Sequence, residues 1–474
     1  MQTVGQKIME TKDKELGKYK RAFFIGAGGI GMANLERYLL QEGFKVAGYD
    51  RTQSELTSKL EKEGVVITFI DESERIPDEF RDNKDTLVVY TPAIPSDSPI
   101  LNWFKDNGFA VVKRSELLGK ITRSGKSICV AGSHGKTTTC SMIANILRNS
   151  RVGCNAFLGG ILRNTGSNLV MCQGTEWSVI EADEYDRSFH RLLPTIAVIT
   201  SVDPDHLDIY GDEDGYLEGF AHFTSLIQPG GTLLIHTGLK LHPRLQENVK
   251  LYTYSGGESG DWHAEDIKYG DGSIKFTLVG PDVRIEGMEP GVPVEINIDN
   301  AVAAAAAAFI AGATPEEVKK GLKEFRGAKR RFEILMSGEN GPALIDDYAH
   351  SPNEVLASIR SVKKLYPGKK LSVIFQPHLY SRTRDFAKEF AVSLSEADEV
   401  IMPEIYPARE LPIEGVDSLL ILDDVDCPSK IYCQRKNLLD LVKNRKFEVL
   451  MTLGAADIDI MLPGIMDILQ NGEN

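Results

Sequence analysis

The chain has 474 residues, 42% hydrophobic and 26% charged, a balance that suits a globular protein of about three domains with ample material for cores. Its 54 basic and 68 acidic side chains leave a formal net charge of −14, which argues against nucleic-acid or anionic-membrane partners and leaves room only for a local basic pocket. The six cysteines (Cys129, Cys140, Cys154, Cys172, Cys427 and Cys433) are scattered without a CxxC pair, so reduced, buried thiols are expected rather than a disulfide framework or a zinc site.

The N-terminal segment, MQTVGQKIMETKDKELGKYK, is polar and lacks the apolar region of a signal peptide. The longest apolar run, Ala301 to Ala313, is too short to span a bilayer. A cytoplasmic protein is expected. The first block, RAFFIGAGGIGMANLERYLLQEGFKVAGYD, reads as strand, glycine turn, helix and strand. Gly26, Gly28 and Gly31 fit GxGxxG, with Gly29 between them, and Asp50 ends the next strand at about the distance that suits a ribose hydroxyl. The same turn serves a nicotinamide-dependent oxidoreductase or seats the diphosphate and ribose of a UDP group, and it does not account for the second block. Further strands are expected at Val65–Ile70 and Leu87–Tyr90, the latter leading into the loop TPAIPSDSP.

The second block opens with SICVAGSHGKTTTCSMIANIL. Gly132, Ser133, His134, Gly135, Lys136, Thr137 and Thr138 stand between a strand at Ile128–Ala131 and a helix. In that place, backbone N–H groups converge on phosphate at the helix N-terminus. Lys136 is expected to reach the terminal phosphates and the Thr137 hydroxyl to ligate Mg²⁺. Val130 stands where a Walker loop carries its first glycine, so the loop is a compact variant. A glycine turn capping a structural helix is the bland alternative, and the order strand, Gly-Lys-Thr, helix weighs against it. Downstream, WSVIEADE and TIAVITSVDPDH read as buried strands ending in acidic loops, which puts Glu181 and His206 at the same sheet edge as the phosphate loop. EADEYD carries four acids, so spacing alone does not select Glu181; His206 can equally be a structural histidine, since Mg²⁺ prefers oxygen. Residues 230–294 suggest added antiparallel strands. An alanine-rich helix is expected over 300–311. A second helix starts at Thr314-Pro315-Glu316-Glu317, with Thr314 as N-cap and Glu317 completing a capping box. From Arg331 onward, short apolar strands ending in polar loops alternate with helical stretches, and the whole predicts α/β domains with mostly parallel sheets.

Taken together, these segments resemble the Mur ligase family, over nearly the whole chain. Gly26 to Met32 is similar to the family's UDP-binding turn, SHGKTTT to its ATP loop, and EADEYDRSF with DPDHLDIYG to its metal-ligand segments. Asn297-Ile298-Asp299-Asn300-Ala301 is similar to its adenine motif. Arg330-Arg331-Phe332-Glu333 and Asp346-Asp347-Tyr348-Ala349-His350-Ser351-Pro352 look like its C-terminal nucleotide contacts, and QPHLYSRT and IYPARE follow in the order of the alanine-adding branch. The resemblance implies a Rossmann-like UDP-sugar domain over 1–122, a central P-loop ATP domain with extra antiparallel strands over 123–328, and a Rossmann-like ligase domain over 329–474. It also implies ATP-dependent joining of L-alanine to UDP-N-acetylmuramate in peptidoglycan synthesis, by a monomer or homodimer with ATP and Mg²⁺ as cofactors.

By the same resemblance, Lys136, Glu181 and His206 form the catalytic set, with Thr137, Glu181 and His206 on the metal. Asn297, Asn300, Arg331 and Asp347 would contact the nucleotide. Gly26, Gly28, Gly29, Gly31, Met32, Asp50 and Thr91 would serve the UDP sugar, and His350, His378 and Arg382 the amino acid or the sugar-acid carboxylate. Ala349 and Ser351 replace a glycine and a histidine of the family pattern, Ile296 stands where a histidine is usual, and Thr91-Pro92 replaces paired serines; none removes a phosphate or metal group. A ligase adding a recycled tripeptide, a folate polyglutamate synthetase and a non-catalytic nucleotide-binding protein share parts of this pattern. The intact Lys136, Thr137, Glu181 and His206 set weighs against the last.

Overall fold

Strands β1 (Arg21–Ile25), β2 (Lys45–Tyr49), β3 (Val66–Thr68), β4 (Thr86–Tyr90) and β5 (Ala110–Lys113) build an all-parallel sheet in the order β3-β2-β1-β4-β5. Ala22 to Ile25 and Leu87 to Val89 are buried, as expected where helices cover both faces and the strands read as unbroken apolar runs. The computed structural model describes residues 16–91, 93–204, 207–270, 273–328, 330–337, 341–408, 410–455 and 457–471. Strand order reverses between β1 and β4, the switch point where such sheets open a crevice. A Cβ on Gly26 (φ +93°) would lie 2.6 Å from Thr91 Cγ2. The loops after β1 and β4 therefore approach as closely as glycine permits.

The second sheet holds β6 (Lys126–Ala131), β7 (Asn155–Leu162), β8 (Ser167–Val170), β9 (Trp177–Glu181), β10 (Ile196–Ile199), β11 (Thr232–His236), β12 (Lys250–Ser255), β13 (Trp262–Gly270), β14 (Ser273–Gly280) and β15 (Val283–Met288). Its order is β15-β14-β13-β12-β11-β10-β6-β9-β7-β8. β6 runs parallel between β10 and β9, while β13–β14–β15 and the β7–β8 pair are antiparallel. β13, β14 and β15 thus supply the added antiparallel strands expected over 230–294, whereas β11 and β12 in that stretch run parallel and the β7–β8 pair lies outside it.

The alanine-rich helix runs from Ile296 to Ile310, four residues earlier than its expected start. Its N-cap, Glu295, makes no side-chain cap bond, so no capping sequence marks the beginning. Seven alanines in this helix are buried, and their small side chains let it pack against the Lys136–Arg148 helix. The following helix, Pro315–Lys323, begins at the predicted box: Glu317 N donates to Thr314 Oγ1 at 3.3 Å and Thr314 N to Glu317 Oε2 at 2.8 Å. Thr314→Ala is expected to cost about 1 kcal/mol, read as a lower urea midpoint with an unchanged slope.

The third sheet is β16 (Glu333–Ser337), β17 (Ala343–Asp347), β18 (Leu371–Phe375), β19 (Glu399–Met402), β20 (Ser429–Tyr432) and β21 (Val449–Leu453), ordered β16-β17-β21-β18-β19-β20. Only the β16–β17 pairing is antiparallel. All six cysteines are free thiols; Cys129, Cys140, Cys154 and Cys433 are buried, whereas Cys172 and Cys427 are half-buried, so burial holds for four of the six. Among the described residues, no helix is long and apolar enough to cross a membrane.

Candidate active site

The loop after β6 meets the helix Lys136–Arg148 at Gly135, whose φ of +80° serves as the N-cap. Gly132 has φ +145°, and a Cβ there would lie 2.1 Å from Thr200 Oγ1. Both glycines are therefore demanded by backbone shape and by the loop after β10. That loop braces the turn: His134 N donates to Ser201 Oγ at 2.7 Å and Ser133 Oγ to the Asp203 carbonyl at 2.6 Å. The result is a braced helix N-terminus at the end of the loop, the ordinary setting for phosphate.

Lys136 Nζ donates to Glu184 Oε1 at 2.8 Å and to the Gly132 carbonyl. Glu184 is buried, and burial pushes its carboxyl up from the usual range although Lys136 pulls the other way. Glu181, the last residue of β9, lies beside β6 in register with Val130. Its Oε1 accepts from Thr137 Oγ1 at 2.9 Å and its Oε2 from Gly159 N at 2.9 Å. A Cβ on Gly159 would come within 2.4 Å of Glu181 Oε2, so the carboxylate occupies a cradle that only glycine leaves open. A hydroxyl and a carboxylate side by side at the phosphate loop are hard oxygen donors, and they fit Mg²⁺. His206 lies outside the described residues. Among those residues, no cluster of three or more His, Cys, Asp or Glu forms a ready metal site.

Ser133, His134, Gly135, Lys136, Thr137, Thr138 and Glu181 line one wall of a cavity of about 560 Å³; Arg331, His350, Glu354 and Arg382 line the other. Glu354 links the two walls. It lies 3.5 Å from His134 Nδ1 and 3.3 Å from His350 Nδ1, and its Oε2 accepts from His350 N at 3.0 Å and Ser351 N at 3.1 Å. Burial opposes its ionisation, but the hydrogen bond from His134 and the charges nearby outweigh burial and hold it well below the usual carboxylate range. Arg331 lies over the Tyr348 ring, 5.1 Å from its centre.

A second cavity, about 350 Å³, lies between the first two sheets and is lined by Ile30, Gly31, Asn34, Arg114, Ser115, Ser188 and Glu181 among others. The two cavities share Glu181. At the first glycine turn, Asp50 Oδ2 accepts from Gly28 N at 2.6 Å. A Cβ on Gly31 would meet Arg114 Nη1 at 2.7 Å.

Other expected site residues stand apart from the large cavity. Asn297 and Asn300 are buried in the first turn of their helix: Asn300 Nδ2 donates to Asn297 Oδ1 at 3.1 Å, and Thr139 Oγ1 donates to Asn300 Oδ1 at 3.1 Å. Asp347 is buried at the end of β17, where it accepts from Phe332 N at 3.2 Å and from Ser358 Oγ; burial pushes its carboxyl up. His378 stacks on Tyr406 with ring centres 5.9 Å apart. Glu184, Glu354 and Arg114 were not singled out by sequence reasoning. Ser351 and Glu354 form a capping box at the helix Pro352–Leu365, so the capping rule could have flagged Glu354 at the cavity edge.

Three family descriptions match the chain: the Mur ligase family catalytic domain over residues 22–126, the Mur ligase middle domain over 130–308 and the Mur ligase glutamate ligase domain over 330–447. The UDP-N-acetylmuramate–L-alanine ligase of Parabacteroides distasonis is 53% identical over 455 residues, covering 96% of this chain and 98% of that protein. The crystal structure of the UDP-N-acetylmuramate–alanine ligase of Thermotoga maritima matches with a TM-score of 0.75 at 26% identity, covering 96% of this chain and all of that one. A murein peptide ligase from Psychrobacter arcticus has the same fold, with a TM-score of 0.61 at 21% identity and coverage of 96% and 100%.

Proposed function

The chain belongs to the Mur ligase family, and from that premise we propose the reaction it performs: ATP-dependent joining of L-alanine to UDP-N-acetylmuramate, giving UDP-N-acetylmuramoyl-L-alanine, ADP and phosphate for peptidoglycan synthesis. The observation that carries this reading is the meeting of the two cavities at Glu181. A nucleotide sugar seated on the Gly26–Gly31 turn can pass its carboxylate through the smaller cavity to the end of the phosphate loop. The reading takes 1–122, 123–328 and 329–474 as the UDP-sugar, ATP and ligase units, and it carries with it a cytoplasmic location.

A carboxylate does not react with an amine directly, because its oxide is a poor leaving group. Transfer of the terminal phosphoryl group of ATP to the carboxylate makes an acyl phosphate, which the amine can attack. That transfer brings two anions together, so fixed positive charge must lie between them. Lys136, drawn from Glu184 to the triphosphate, supplies part of it, and the loop N–H groups supply more. Mg²⁺, held by Thr137 and Glu181 with His206 as the further expected ligand, would neutralise the developing phosphate charge. Arg331 and Arg382 sit across the cavity, where they attract the phosphate and the carboxylate of the amino acid. Acyl phosphates hydrolyse readily, so the wall formed by residues 350–354 has an evident use in excluding water.

The test is ADP release with the substrates supplied singly and together. Release is expected only when UDP-N-acetylmuramate and L-alanine are both present with ATP and Mg²⁺. Release without the nucleotide sugar, or none with alanine, would overturn the reading; a stronger response to a peptide acceptor would favour the recycling ligase instead.

A further inference from the structure

Amide formation requires a proton to leave the attacking nitrogen. Around the large cavity stand six groups able to take one: Glu181, Asp203, Glu354, Glu389, His134 and His350. Glu181 has both oxygens committed to Thr137 and Gly159. Glu354 is held ionised by its neighbours, and a carboxyl that gives up its proton so readily is a weak acceptor. Asp203 is largely exposed beside His134, and Glu389 lies farther along the Tyr380–Leu394 helix.

The two histidines differ. His134, on the phosphate loop, is bonded by Glu354, which favours its charged form and raises its pKa. His350 has its pKa lowered, chiefly by burial, with Arg382 and Arg331 adding to the effect against the pull of Glu354. Environments that push two titratable groups apart in this way divide acid from base. The tautomer follows from geometry. His350 Nδ1 faces only acceptors, the Tyr348 carbonyl at 3.1 Å and the Glu354 carboxylate at 3.3 Å, so the ring proton sits on Nδ1. In the neutral ring Nε2 then carries the lone pair. No hydrogen bond to Nε2 is made among the described residues, and His350 lines the cavity with Lys136 and Arg382. The charged and titratable groups facing it are Glu354 on its own segment, which also meets His134 of the phosphate loop, Arg331 before β16, Arg382 on the Tyr380–Leu394 helix and His378 after β18.

Building on the ligase reading above, we propose that His350 Nε2 is the proton acceptor for the attacking amine, and that Glu354 is the positioning residue that fixes its tautomer and balances the imidazolium. The amine nitrogen attacks the acyl carbon and a C–N bond forms. The C–O bond to phosphate breaks and phosphate leaves with that electron pair. Before the attack, one proton of the alanine ammonium passes to Nε2 and frees the lone pair; the second N–H proton leaves with the departing phosphate, and the imidazolium later returns its own to water. The arrangement follows the logic of a carboxylate–histidine base.

The experiment compares two acceptors with full-length protein, ATP, Mg²⁺ and UDP-N-acetylmuramate. Alanine is largely an ammonium near neutral pH, whereas hydroxylamine is already neutral and traps acyl phosphate as a hydroxamate. His350→Asn and His350→Gln are expected to slow amide formation with alanine by about a hundredfold or more, while hydroxamate formation falls far less. Glu354→Gln should lower the alanine rate less than the histidine variants and shift the acidic limb of its pH profile, a change that loss of packing alone would not produce. Equal loss with both acceptors, or an undiminished alanine rate, would overturn the assignment. Failure of the wild-type protein to form hydroxamate would count instead against the ligase reading itself.

Discussion

Lys136→Ala is expected to abolish measurable ADP release. Lys136 is the one lysine of the loop Gly132–Thr138 that leads into the Lys136–Arg148 helix, and it stands on the cavity wall with Thr137 and Glu181. Its removal takes away one preorganised charge from the transferring phosphoryl group, at a cost of about 3–4 kcal/mol, or roughly a hundred- to a thousandfold in rate. The variant also strands Glu184, which is buried, and leaving a buried charge unpaired is destabilising. Burial already pushes that carboxyl up, so it can take a proton in place of its lost partner, and this limits the damage. The double variant Lys136→Ala with Glu184→Gln removes the stranded charge altogether. It should melt close to the wild type and remain inactive; recovery of ADP release in the double variant would contradict the role given to Lys136.

Most of the frame was legible in the sequence because its signals are local. Unbroken apolar strands, the GxGxxG turn, the Gly-Lys-Thr loop and the Thr314 capping box each occupy one short window, and each appears where its own chemistry puts it. The family resemblance then ordered these pieces into three units. What escaped was the pairing of groups far apart in the chain. EADEYD offers four acids, and the register of β9 against β6 separates their positions: Glu181 ends the strand beside Val130, while Glu184 lies three residues beyond and meets Lys136. No spacing rule reports that register. Glu354 joins residues more than two hundred positions apart, His134 and His350, which no window can show. The alanine-rich helix begins four residues before its expected start because no cap marks its beginning, and this matters: Asn297 falls inside the helix, where it accepts from Asn300, which in turn accepts from Thr139.

Glu181→Gln isolates charge from shape. The wild-type carboxylate accepts from Thr137 Oγ1 and from Gly159 N, each at 2.9 Å, within a cradle that a Cβ at 159 would fill. An amide of the same size can still accept from Gly159 N through its oxygen and donate to the Thr137 hydroxyl through its nitrogen. The phosphate loop therefore keeps its shape while losing one negative oxygen donor. Hard divalent ions depend on such donors, so the Mg²⁺ concentration giving half-maximal ADP release should rise by more than about tenfold, the lower bound seen for weaker outer contacts. At fixed Mg²⁺ the rate should fall about a hundredfold. Glu181→Ala adds loss of both hydrogen bonds and opens the partition between the two cavities, so it should also raise the KM for the nucleotide sugar. If Glu181→Gln leaves the Mg²⁺ dependence unchanged while Glu181→Ala destroys activity, the carboxylate braces the loop and the metal is held elsewhere.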